Sequence, residues 1–210
     1  GPGMARFIDR AAQMAGKPGI TELTWEKQMQ FDNRGGDAGA GLAEASGKVL
    51  SKTNYGRETG ELRADQLVME LRRTTLPGAH VEDDDDPIRT LSHRGRTLRQ
   101  LTADGNATLL AEKWRDEAGG QLESRVAING QKIIFNRILE QLIVRGEGAM
   151  LVQDQRPSDP GGRRRNLEIA EFSGRGRTAF WWTERLVLDA GLNDLLIDGK
   201  NDEFLNRVKG

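Results

Sequence analysis

At 210 residues, with 36% hydrophobic and 30% charged residues, the chain is long enough for one substantial core or two small ones, with generous polar loops. Its 31 basic and 32 acidic residues leave a net charge of -1, which excludes a globally basic nucleic-acid coat and confines any such activity to a local patch. Cysteine is absent, which excludes disulfides, thiolate nucleophiles, zinc knuckles and iron–sulfur ligation and makes the reducing cytoplasm the expected location.

Gly1-Pro2-Gly3 before Met4 reads as a tag remnant, and the residues after it lack the apolar core of a signal peptide. Residues 4–60 are expected to be a loosely structured, Gly-rich N-terminal region. Within it, 5–15 fits a short helix stopped by Gly16 and Pro18. Residues 20–31 fit a strand or a short helix equally well. The tract 33–60 has little apolar content to offset ordering entropy and reads as loop with a helical turn near Leu42–Leu50.

Residues 61–210 are expected to form one globular, mostly helical domain. Ala64, Leu67, Val68 and Leu71 follow the helical i, i+3, i+4, i+7 spacing and predict a helix over 61–73. The block Glu82–Asp86, closed by Pro87, reads as exposed loop without metal, because adjacent carboxylates repel and proline disrupts regular structure. Ala107, Leu110, Ala111, Trp114 and Ala118 predict a second helix over 107–118, with Gly119-Gly120 as its stop. Asn129-Gly130 between apolar runs is a hairpin signal. It competes with two adjacent rows, Ile134, Ile138, Leu142 and Phe135, Leu139, Ile143, that predict a central buried helix over 131–145.

Ala149–Gln153 and Asn166–Phe172 read as two short strands joined by 154–165. Leu188, Leu192, Leu195 and Leu196 predict a last helix over 183–197. The expected fold class is therefore mainly α with a small antiparallel β element (α+β).

No chemical motif is complete. Gly41 and Gly47-Lys48 miss the phosphate-loop spacing, and Val49 stands where that loop needs Ser or Thr. No nucleophile elbow occurs, and only His80 and His93 offer imidazole chemistry. No catalytic residue, metal ligand or cofactor is assigned.

The richest stretch is Gly161–Trp182. It carries Arg163, Arg164, Arg165, Arg175 and Arg177 and ends in Phe180, Trp181 and Trp182. Arginine forks bind phosphate and aromatic faces stack on bases, so this pairing suits single-stranded nucleic acid. If Trp181 and Trp182 lie in a strand, one faces the core and the other solvent.

The expected function is a non-enzymatic binding protein that contacts nucleic acid or a nucleoprotein partner through those arginines and Trp181 or Trp182, with no membrane. The alternatives are a structural or assembly protein that self-associates through the apolar faces of helices 131–145 and 183–197, and a metal-dependent nuclease.

Overall fold

The computed structural model describes residues 1–8, 19–32, 40–73, 96–116, 120–155, 176–189, 194–198 and 205–207, and their regular structure is entirely β. The strands are β1 (Gly3–Ile8), β2 (Gly19–Trp25), β3 (Gln28–Asp32), β4 (Ala40–Tyr55), β5 (Glu58–Arg73), β6 (Arg96–Trp114) and β7 (Leu122–Asn136). After these come β8 (Gln141–Arg145), β9 (Gly148–Asp154), β10 (Gly176–Trp182), β11 (Arg185–Asp189), β12 (Asp194–Asp198) and β13 (Leu205–Arg207). All pair antiparallel in one sheet, whose main path runs β1-β2-β4-β5-β6-β7-β8-β11-β12.

Four long strands, β4 to β7, form the spine of this sheet, and a line of irregularities crosses it. The register slips between Ser46 and Val49 in β4, between Arg63 and Gln66 in β5, and between Asp104 and Ala107 in β6. On the same line lie the breaks between β2 and β3, β8 and β9, and β10 and β11. There the Glu26 N–H donates to the Gly47 carbonyl at 2.7 Å, and the Gly146 N–H donates to the Glu184 carbonyl at 2.8 Å. At Gly47-Lys48 and Gly105-Asn106 two consecutive residues take positive φ (82° and 43°, then 81° and 48°), a conformation glycine adopts without steric cost.

The line divides the sheet into two halves. The first half holds β1, β2, residues 49–55, 58–64, 107–114 and 122–130 of the long strands, β9, β10 and β13. The second half holds β3, residues 40–46, 66–73, 96–104 and 132–136, β8, β11 and β12.

The two halves share one core. In the first half, Leu23, Leu62, Ile128, Met150 and Phe180 lie on one cross-strand row at 9% exposure or less. In the second, Ala45, Leu67, Ala103, Ile133, Val144 and Leu186 form the corresponding row. Each large aliphatic buried there is worth about 1.5–3 kcal/mol before entropy.

Wherever the expected helices fall on described residues they are corrected to strand. Of 5–15, residues 5–8 lie in β1 and 9–15 lie outside the described residues. For 61–73 and 107–118 the reason is the line of bulges. A strand repeats its inward face every two residues, but a bulge inserts an extra residue and resets the alternation. In β5 the buried residues are Leu62, Ala64 and Leu67, so the bulge supplies a three-residue step that mimics helical spacing within 61–73. In β6 the same effect separates Ala103 and Ala107 by four, and the start of 107–118 continues the strand to Trp114.

Segment 131–145 is the end of β7, a turn and β8. Ile133 and Val144 face inward, while Ile138 and Leu139 are 58% and 57% exposed at the turn. The backbone N–H groups of Ile138 and Leu139 donate to Asn136 Oδ1 at 3.0 and 3.1 Å, which closes the turn. Segment 183–197 supplies β11 and β12. The Asn-Gly pair at 129–130 lies inside β7, next to the line of bulges rather than at a hairpin turn.

Residues 40–55, inside the Gly-rich region, form β4, and residues 20–31 resolve into β2 and β3. Ala149–Gln153 does lie in a strand, β9, whose partners are β7 and β10. Asn166–Phe172, residues 33–39 and the acid block 82–86 lie outside the described residues.

Gly148 marks a close approach. A Cβ there would meet the Asn129 carbonyl oxygen and lie 2.6 Å from Trp182 Cζ2. Gly148→Ala is expected to lose about 1–3 kcal/mol through overpacking, because the backbone oxygen cannot rotate away. Urea denaturation should find this loss. Gly176→Ala, where the space is open, should leave the midpoint within error.

Candidate interaction surface

Strand alternation sorts the aromatic cluster at the end of β10. Phe180 and Trp182 are buried at 3% and 2% exposure, whereas Trp181 is 46% exposed. Trp182 therefore belongs to the core and is removed from any binding surface. Trp181 lies on the outer face of the first half, beside Ala149 of β9 in the register.

Arg177 shares that outer face, four residues from Trp181, or about 13 Å along the strand. It is exposed and makes no ion pair among the described residues. Arg163, Arg164, Arg165 and Arg175 lie outside the described residues. Of the seven residues read from the sequence as a nucleic-acid surface, the described structure brings Trp181 and Arg177 to one exposed face.

The rest of this face is electrostatically matched. Arg6 approaches Glu22 at 3.6 Å and Lys52 approaches Glu61 at 3.9 Å, while Arg63 Nε bonds Glu61 Oε1 at 2.6 Å. Arg125 pairs with Glu112. These charges line or border a shallow cavity of about 420 Å³ that crosses β1, β2, β4, β5 and β6. Four bases meet three acids there, Glu61 being shared by Lys52 and Arg63, so most of the charge in and around the cavity is already paired. Among the described residues no group of three or more His, Asp or Glu side chains could hold a metal ion.

The outer face of the second half carries a feature that the sequence reasoning missed. A cross-strand row there runs Val68, Thr102, Ile134, Ile143, Val187 and Leu196. Leu196 is 47% exposed and the others are half-buried, so a mostly aliphatic stripe crosses six strands on the side away from the core. On either side lie polar rows, with Lys132, Arg145 and Arg185 on one and Gln100, Asn136 and Gln141 on the other. The signal was present as continuous apolar runs, Ile133-Ile-Phe135 and Leu142-Ile-Val144, which mark strands apolar on both faces.

The stripe ends at β12, a sheet edge. Among the described strands, β1 and β13 in the first half and β3 and β12 in the second each pair with a single neighbour. No helix long and apolar enough to cross a membrane is present among the described residues. Compared with known proteins, the chain matches no family model and no curated sequence.

Proposed function

We propose that the protein is a non-enzymatic structural module that assembles with further copies of itself through its sheet, in a reducing, cytoplasmic setting. The observation that carries this reading is the outward aliphatic row Val68, Ile134, Ile143, Val187 and Leu196, which runs up to β12, a strand that pairs with β11 alone among the described strands. A soluble domain normally keeps the solvent face of a sheet polar. Ion pairing across the other face, in turn, leaves few cations for phosphate. The helix faces first expected to mediate association are replaced by this sheet surface.

Light scattering across a salt series tests the reading. Association through apolar surface should hold or strengthen as ionic strength rises. A mass that falls to that of a single chain in high salt would reject it.

One observation favours a second reading, contact with single-stranded nucleic acid: Trp181 and Arg177 share an exposed face. Under that reading, anisotropy with a single-stranded probe should show affinity that falls steeply with salt. Trp181→Ala should then weaken binding by about 1–3 kcal/mol without unfolding the chain. A salt-independent signal, or no loss in the variant, would reject it.

A further inference from the structure

We infer that two copies of this chain pack face to face across the outward aliphatic row of the second half, related by a two-fold axis running along that row. This inference rests on the assembly reading and names its contact and symmetry. The observation behind it is electrostatic. On β8 the exposed Arg145 stands directly opposite Lys132 of β7 and Arg185 of β11 in the register. Like charges set opposite one another on adjacent strands destabilise a sheet. Lys132 is relieved by Asp104 at 2.6 Å and Arg185 by Asp198, but Arg145 makes no ion pair among the described residues. The centre of the row is thus a cation that the described part of its own chain leaves unmatched.

Two-fold symmetry supplies the match. Rotation about the row lays each strand over its own copy in the opposite direction, so the two flanking polar rows change places. Arg145 of one copy then lies over Gln141 of the other, beside Asp189, which pairs with Gln141 in the register. The Gln141 amide donates to Asp189 Oδ2 at 3.1 Å and orients that carboxylate, which can accept several donors. Packed sheets lie about 10 Å apart, a gap that an arginine and a carboxylate bridge from opposite sides. Ile134, Ile143 and Val187 each meet the same residue of the second copy, so the aliphatic row is covered along its length.

An axis along the strands is disfavoured, because it sets the row of Lys132, Arg145 and Arg185 against itself. The face is open to a partner. Leu196 is 47% exposed, and the side chains of Asp104 and Arg185 are 44% and 53% exposed. Six strands and three rows span about 30 Å by 20 Å, on the order of 1,200 Å² over both copies, at the lower end of specific interfaces. The dimer is therefore expected to be weak and concentration-dependent.

The test is sedimentation and light scattering of the full chain over a broad concentration range, with circular dichroism as the check on folding. The wild-type mass should rise with concentration and level off at two chains. At low salt Arg145→Glu should raise the concentration needed for pairing about tenfold, since it sets a carboxylate against Asp189 of the second copy. Adding Gln141→Lys to the same chain should recover most of that loss, and raising the salt should shrink the recovery. Positions 141 and 145 lie about 13 Å apart on one strand, so this charge pair forms only between copies. Arg177→Glu, the same change of charge on the outer face of the first half, should alter nothing.

Pairing that persists unaltered in Arg145→Glu would overturn the two-fold contact and leave the assembly reading standing. So would a double variant no better than the single one, or a wild-type mass that grows past two chains without levelling. A wild-type chain of single-chain mass throughout would overturn both.

Discussion

Trp182→Ala is expected to cost about 3–5 kcal/mol of folding stability, whereas Trp181→Ala should change stability by no more than about 0.5 kcal/mol. The two residues are neighbours and chemically identical, so the contrast comes only from strand alternation: Trp182 is 2% exposed and Trp181 is 46% exposed. Trp182 also buries its Nε1 without a hydrogen-bond partner among the described residues. An unpartnered buried donor carries a desolvation cost of about 1–3 kcal/mol in the native state. Trp182→Phe removes that donor together with part of the ring, and it should retain most of the stability lost in the alanine variant. Chemical denaturation of the three variants, followed by circular dichroism, checks the series. Equal losses at 181 and 182 would mean that β10 does not alternate as described.

The second large contrast lies in the β7–β8 hairpin. Ile133→Ala should cost about 2–5 kcal/mol, because Ile133 is 1% exposed and sits on the inner row between Ala103 and Val144. Ile138→Ala should stay within about 0.5 kcal/mol, because Ile138 is 58% exposed in a turn held by Asn136. A helix over 131–145 would reverse part of this expectation, since Ile138 would stand in the middle of its apolar stripe. Denaturant midpoints for the pair therefore discriminate hairpin from helix without a structure determination.

The sequence alone marked the apolar segments but not which of their residues are buried. Of the residues it placed on apolar faces, Ala64, Leu67 and Ala107 are buried, whereas Ile138, Leu139 and Leu196 are exposed. It also determined that Trp181 and Trp182 divide between core and solvent once they lie in a strand. The absence of cysteine and of any complete motif limited the chemistry before any fold was known.

Only the tertiary structure decided the period. Three- and four-residue steps such as Ala64 to Leu67 and Ala103 to Ala107 are shared by an amphipathic helix and by a bulged strand. Nothing local separates the two, because a bulge is stabilised by neighbouring strands that are distant in sequence. The same holds for Asn129-Gly130. Its readiness to turn was legible, but its use inside β7 depended on β6, β8 and β9 holding the chain on both sides.

The outward stripe is likewise a product of strand order. Val68, Ile143 and Leu196 are far apart in the chain and become one row only when β5, β8 and β12 take their places in the sheet. Hydrophobicity is a property of each side chain, but a surface is a property of which strands lie side by side. Backbone hydrogen bonding between distant segments sets that order.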